Sequence, residues 1–424
     1  MPRVVVTGIG LVTPFASGRE SSWQRLVVGE SATRLVEGFV GAPAALAFDS
    51  AADPVVELAL RCAEEAVADA GMSFAVCDLD RIGCVIGTSK PLLRTFDAFR
   101  RTGFQPVRPE PRGRKSEVGS RNSVEGIRSP TSDLRPPGLT DGLEARPTAF
   151  FPNEPALAVA RRFRLAGPCL CPVAACATGL VSLQRGAELV REGVCDAVLA
   201  GSSDASLLPI VLGSFKRLGV LARDVDDPAA ACRPFDRHRS GFVVGEGAAV
   251  FVLERLADAV ARGARIYAEW LAGGLASDAA SLTGLDATAE PLARLIGDVL
   301  RRGDVQQDEI DYVNLHGTAT EQNDVYETRA VHRALGRAAS RVRCSSIKGA
   351  IGHLLGAAGS VETAAVLLAM RDGVIPPTVN LRTADSNCDL DYTPLNAAHA
   401  PIRTALKLSL GFGGHLAAAV LRRL

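Results

Sequence analysis

A chain of 424 residues exceeds the usual size of one simple core, so one large double core or two domains are expected. Its 47 basic and 47 acidic side chains cancel to a formal charge of zero, which argues against nucleic acid or an anionic membrane as a general partner. Aromatics make up only 5% of the residues, and plentiful Gly, Ala, Val and Leu suit tightly packed α/β layers with buried strands.

Arg3 to Gly8 reads as a strand and its turn rather than a secretory leader. Nothing approaches the run of about 18 apolar residues that a membrane helix needs. A helix is expected around 52–71, with Val56, Leu60, Ala63 and Val67 on one buried face. Arg81–Thr88 reads as a strand. From about Gln105 to Arg146 the chain turns rich in Arg, Ser, Pro and Gly, which marks an insertion, with a mobile lid as the second reading. A helix from Cys176 to about Glu192 precedes a strand at Asp196–Gly201, and Val243–Glu254 is a third apolar segment. The second half has a comparable rhythm. A helix is expected near 288–302, a strand at Tyr312–Leu315 and a helix after Asn323. An alanine-rich helix follows over Leu354–Met370, then a hairpin from Leu406 to Leu421 turning at Gly411-Phe412-Gly413-Gly414. Strand–helix alternation predicts an α/β fold, and the two halves suggest a pseudo-duplication that no sequence repeat proves.

Val173 to Leu180 places Cys176 among small residues at a strand-to-helix junction. The thiolate is the nucleophile; the positive end of a helix is expected to lower the thiol pKa, and small neighbours admit a substrate carbonyl. Two glycine-flanked histidines follow, in His316-Gly317-Thr318-Ala319-Thr320 and Lys348-Gly349-Ala350-Ile351-Gly352-His353. Together these three residues suit thioester chemistry. The ten cysteines are scattered, as in a reducing compartment. Cys169, Cys171 and Cys176 cluster, but their spacing matches neither common zinc pattern, so no metal is expected. Cys169 and Cys171 read as small core residues, as do Cys62, Cys77, Cys84, Cys195, Cys232, Cys344 and Cys388. His238 reads as a surface or ion-paired residue, Lys216 and Arg217 as solvated, and Gly245 and Gly247 as strand-packing or turn positions rather than a phosphate cradle.

Several motifs converge on one family. Val5-Val6-Thr7-Gly8-Ile9-Gly10, Ala174 to Gly179, Arg233-Pro234-Phe235-Asp236, Gly241 to Ala248, the two histidine segments, Gly352 to Gly359 and Gly411 to Gly414 occur in this order. The chain resembles the β-ketoacyl–acyl carrier protein synthases, the condensing enzymes of fatty-acid and polyketide synthesis, over nearly its whole length except roughly 88–149. The resemblance implies a thiolase-like fold, with two pseudo-duplicated halves in a five-layer α-β-α-β-α architecture. The halves would be 1–255, carrying the nucleophilic cysteine, and 256–424, carrying both histidines. It further implies that Cys176 takes the acyl chain as a thioester, with the N–H groups of Cys176 and Phe412 as oxyanion hole. His316 and His353 would serve malonyl decarboxylation, and their pairing points to the elongating type. Lys348 matches a family lysine close to the second histidine, and Glu362 the acid in its network. Asp324 matches the aspartate after the first histidine motif, Thr318 and Thr320 the threonines that contact the phosphopantetheine arm, and Phe412 a gatekeeper. Lys348, Asp324 and Glu362 read equally well as a buried ion network joining the halves. The implied partners are acyl carrier protein and a second subunit, as a homodimer or a heterodimer with a related chain; no cofactor is implied, and the implied location is cytoplasmic.

The chain also departs from the family pattern. His415-Leu416 stands where Thr or His and then Asn usually follow the glycines, and Ser89-Lys90 follows Thr88 where another glycine is usual. The polar insertion replaces residues that normally contribute to the acyl pocket and the dimer surface. Two rival functions follow. One is an acyltransferase or thioester hydrolase using Cys176 without decarboxylation; the other is a non-catalytic partner subunit like the chain-length factors, against which Cys176 itself argues.

Overall fold

The computed structural model describes residues 2–36, 39–45, 53–74, 77–90, 151–223 and 226–424. The expected insertion at about 105–146 therefore lies outside the described residues. Two runs of elements repeat one order. The first is β1 (Val4–Val12), α1 (Pro54–Asp69), β2 (Ile82–Gly87), α2 (Glu154–Phe163), β3 (Cys169–Leu170), α3 (Thr178–Arg191), β4 (Ala197–Asp204) and β5 (Gly247–Arg255). The second is β6 (Ala268–Ser277), α4 (Glu290–Arg302), β7 (Tyr312–Asn314), α5 (Glu321–Leu335), β8 (Arg343–Ser345), α6 (Ala358–Asp372), β9 (Thr404–Gly411) and β10 (His415–Arg422). Further helices, among them Arg19–Val28 and Pro209–Arg217, and short strands sit between these elements.

Pairing repeats with equal fidelity. The first five strands run in the order β1-β5-β4-β2-β3 and the second five in the order β6-β10-β9-β7-β8. In each set the first two contacts are antiparallel and the last two parallel. The sets join where Val5 and Val6 of β1 face Glu269 and Ala268 of β6. The pseudo-duplication is thus real in topology although no clear sequence repeat proves it.

Helices α1 and α2 cover the outer face of the first set, and α4 and α5 flank the second. Between the two sets lie α3 and α6, which touch strands of both. Three apolar cores fill the spaces between these five layers. Every residue of α6 from Ala358 to Met370 is buried, as befits a helix enclosed on all sides. The two central helices cross backbone to backbone: a Cβ on Gly179 would lie 2.3 Å from the Ser360 nitrogen, and one on Gly359 2.5 Å from the Leu180 nitrogen.

The buried face of α1 is offset from the expected stripe. Ala63 is fully buried, but Val56, Leu60 and Val67 are only half-buried, and Val55, Leu58, Ala59, Cys62 and Ala66 take the deep positions. The small residues lie deepest because they let the helix settle closely on β1, whereas apolar spacing alone weights the larger side chains. Among the described residues no helix is long and apolar enough to cross a membrane.

Candidate active site

The site gathers where the parallel strands of both sets end. Cys176 follows β3, His316 follows β7, Lys348 and His353 follow β8, and Phe412 follows β9. Cys176 stands two residues ahead of α3, in the 3₁₀ turn Ala175–Ala177, rather than inside the helix as the apolar spacing predicts. Thr178 holds that turn: its hydroxyl accepts from the Ala174 N–H at 2.8 Å and donates to the Ala175 carbonyl at 2.7 Å. Ala175 adopts φ 47°, a left-handed conformation that a non-glycine residue keeps only where its surroundings enforce it. Gly411 lies against the turn so closely that a Cβ there would sit 2.7 Å from the Ala174 carbonyl oxygen and 3.2 Å from the Cys176 nitrogen.

Burial pushes the Cys176 thiol up to about 11; Lys90, Lys348 and a hydrogen bond from the Phe412 N–H oppose the shift. The thiol thus lies above its ordinary value rather than below it, because desolvating a thiolate outweighs the positive groups around it. The thiol is the resting form.

His316 and His353 meet edge to face, with ring centroids 5.1 Å apart and planes at 83°. Phe242, which the sequence reading missed, packs on the other side of His353 at 5.1 Å. The His353 backbone is pinned as its N–H donates to Val243 at 2.7 Å and its carbonyl accepts from Gly245 at 2.9 Å. Glu327, also missed, accepts the His316 and Gly317 N–H groups, each at 2.6 Å. Its carboxyl is raised to about 7 by burial, despite those two bonds and one from Asn323.

Lys348 lies nearer the first histidine than the second in its bonding: its ammonium donates to the His316 carbonyl and, at 3.4 Å, to His316 Nδ1. An ammonium only donates, so Nδ1 accepts and the ring proton falls on Nε2. Lys348 also pairs with Glu362, whose other oxygen takes Lys407 at 2.6 Å. Burial is the main reason both histidines titrate well below the usual imidazole range, with Lys348 the next cause for each. Both are neutral at physiological pH.

Asp324 belongs to a different network. It accepts from the Phe235 N–H at 2.8 Å and the Ala319 N–H at 3.2 Å and faces Arg239 at 3.5 Å. Burial raises its pKa. Lys348, Glu362 and Asp324 are therefore not one ion network between the halves: Lys348 and Glu362 pair within the second set, and only Asp324 reaches back to Arg239. Thr318 and Thr320 share a hydrogen bond of 2.9 Å.

Cys176, His316, His353, Thr318, Thr320 and Phe412 all line one cavity of about 350 Å³. A thiol, two neutral imidazoles and backbone donors around one chamber can carry an acyl group and stabilise an oxyanion or an enolate. Several bland expectations hold: Lys216, Arg217 and His238 are exposed, and Gly245 and Gly247 pack against backbone. Others do not. Cys169 is exposed and Cys77 and Cys171 half-buried, because β3 is a two-residue edge strand and the other two lie in connecting segments. Among the described residues no cluster of His, Cys, Asp and Glu could hold a metal ion.

Residues 1–259 match the family model "Beta-ketoacyl synthase, N-terminal domain", and residues 267–382 match "Beta-ketoacyl synthase, C-terminal domain". The chain is 38% identical to the tetracenomycin polyketide synthase ketoacyl synthase alpha subunit of Streptomyces glaucescens, over 99% of this chain and 97% of that protein. Its fold superposes with a TM-score of 0.86 on a type II polyketide synthase ketosynthase solved in complex with its acyl-carrier protein and bound to the hexaketide, at 30% identity and covering 100% and 99% of the two chains. A structure described as the ishigamide ketosynthase/chain length factor matches at a TM-score of 0.82, with 29% identity over 100% and 99%.

Proposed function

The chain belongs to the β-ketoacyl synthases, acyl-transferring condensing enzymes, and we propose that it extends a polyketide chain by decarboxylative condensation with malonyl–acyl carrier protein. The observation that carries this reading is the convergence of Cys176, His316 and His353 on one cavity.

The proposed chemistry runs in two stages. The Cys176 thiol loses its proton as its sulfur attacks the carbonyl of a carrier-bound acyl thioester. The oxyanion is met by the N–H groups of Cys176 and Phe412, and the old acyl–sulfur bond breaks as the phosphopantetheine sulfur leaves and takes up that proton. Malonyl–carrier protein then enters, its arm alongside Thr318 and Thr320. As carbon dioxide departs, its bonding electrons stay on the malonyl α-carbon as an enolate, which the N–H donors of His316 and His353 stabilise. The carbanion attacks the acyl-Cys176 carbonyl, a carbon–carbon bond forms, and the thiolate is expelled. Lys348 and Glu362 orient His316; Asp324 and Glu327 hold the loop that bears it. Phe412, half-buried and 6.4 Å from Phe215 between ring centroids, would gate the acyl chain.

The partners in this reading are an acyl carrier protein and a related subunit. The first is supported by the solved complex of a similar ketosynthase with its carrier protein, the second by a relative described as an alpha subunit and by the ketosynthase/chain length factor structure. A homodimer is the outcome against this pairing. The division into halves at Arg255 is supported by the repeated strand order. A cytoplasmic location is supported by ten unpaired cysteines.

Mass spectrometry tests the proposal. Incubated with acyl- and malonyl-carrier protein, the protein should show an acyl adduct on the Cys176 peptide and a β-ketoacyl product on the carrier. An acyl adduct without elongation, with and without a paired subunit, would contradict it.

A further inference from the structure

Strand β9 carries a single charged side chain, Lys407, among apolar residues and the small hydroxyls of Thr404 and Ser409. Its residues are buried from Thr404 to Leu410, and Lys407 sits in the middle with its side chain fully excluded from solvent. Alternation along the strand sends Leu406, Leu408 and Leu410 to the outer core, and Lys407 to the central layer and Glu362 of α6. There Glu362 divides its two oxygens, one to Lys348 and one, at 2.6 Å, to Lys407. The remaining acceptor of Lys407 is the Leu408 carbonyl.

Stability does not call for this second lysine. Lys348 alone balances the charge of Glu362, and buried ionic groups are often no more stabilising than apolar residues of similar volume. Burial works against the Lys407 ammonium and lowers its pKa, while Glu362 opposes that shift. Position accounts for the residue better. Lys348, which shares Glu362 with Lys407, reaches His316, and His316 lies edge to face on His353.

We propose that Lys407 is a positioning residue of the condensing site: by occupying one oxygen of Glu362 it leaves Lys348 aimed at His316, and it keeps the chamber behind both histidines positively charged. The inference rests on the condensing reading above. Glu362 between two ammoniums leaves a net positive chamber, since Glu327, raised to about 7, carries only part of a charge at neutral pH. That charge favours an enolate in front of it and disfavours a proton on either imidazole. Both histidines sense Lys407 in that direction. The charged and titratable groups facing Lys407 are Glu362, Lys348, Glu327, His316 and His353; His353 also faces Lys90.

The test is the pH profile of carbon dioxide release from malonyl–carrier protein for the wild-type protein, Lys407→Met and Lys407→Gln. Thermal melts are followed in parallel. Met removes charge and hydrogen bond together, whereas Gln removes the charge and keeps a donor. Release by the wild type tests the condensing reading by itself. If Lys407 acts as proposed, release at neutral pH falls about tenfold in both variants, less than the roughly 10²–10³ lost with a direct oxyanion donor. The acid limb of the profile also moves to higher pH, because histidines freed from this charge take up a proton sooner. A structural role alone lowers the melting temperature and leaves the limb in place. An unmoved limb in whichever variant folds overturns the proposal, and so does failure of both variants to fold.

Discussion

Cys176 and Gly356 occupy equivalent positions in the two repeats: each is the middle residue of a 3₁₀ turn, Ala175–Ala177 or Leu355–Ala357, that opens a central helix. The first residues of these turns, Ala175 and Leu355, share a left-handed backbone, with φ of 47° and 48°. One turn presents sulfur to the cavity, while the other is closed off. A Cβ on Gly356 would lie 2.5 Å from the Ser89 nitrogen and 2.9 Å from Asp204 Oδ2, which accepts the Gly356 N–H at 3.0 Å. The repeat has kept the geometry of a nucleophile turn twice and the nucleophile once.

Gly356→Ala should therefore destabilise by about 1–3 kcal/mol, since backbone and not a flexible side chain must give way. Denaturant unfolding measures it; a loss below about 0.5 kcal/mol would show that Ser89 moves freely.

Alkylation of Cys176 by iodoacetamide should be slow at neutral pH and climb steadily into the alkaline range, because burial holds the thiol near 11. Peptide mass spectrometry separates Cys176 from the other nine cysteines. A rate that levels off by about pH 8 would mean that the helix end and Lys90 prevail over burial.

The shared carboxylate predicts an asymmetry. Glu362→Gln strands two buried ammoniums and should cost about 3–5 kcal/mol, whereas Lys348→Met leaves Glu362 paired with Lys407 and should cost less. Equal losses in thermal or urea melts would contradict the shared pairing.

Acid stability is set by opposing groups. His316 and His353, held below their unfolded pKa by burial, bind protons more readily when unfolded, so their contribution is full above about 6.5 and is lost as pH falls from there through their depressed folded values. Glu327, raised to about 7, holds its proton in the folded state and stabilises below its unfolded pKa, an effect lost as pH rises through about 7. Removing the histidine term in His353→Asn should flatten the fall in melting temperature between pH 7 and 5. Removing the glutamate term in Glu327→Gln should steepen it. Parallel curves for all three proteins would contradict these assignments.

Legibility in the sequence followed locality. Cys176, His316, His353 and Phe412 stand in short motifs of small residues and were readable, as were most elements of the repeat. Glu327 and Lys407 were not, because their partners lie 10 and 45 residues away along the chain. Lys407 did leave a trace: the single charge of a buried strand needs a buried partner. The duplication was legible as a rhythm of strands and helices and not as matching residues, because the repeats share strand order and turn geometry, with Cys176 answered by glycine. Cys169 was misplaced because apolar composition does not distinguish an edge strand from a central one. The thiol pKa depended on depth of burial, which no local motif encodes.

The central claim is that one thiol and two neutral histidines divide acylation from decarboxylation. Carbon dioxide release from malonyl–carrier protein tests it most directly, comparing the wild type with Cys176→Gln and His353→Ala. The account predicts release by the wild type and by Cys176→Gln, which cannot accept an acyl chain but keeps the histidines, and a collapse of release in His353→Ala. If none of the three releases carbon dioxide while wild-type Cys176 still acylates, the protein is an acyltransferase and the condensing account fails.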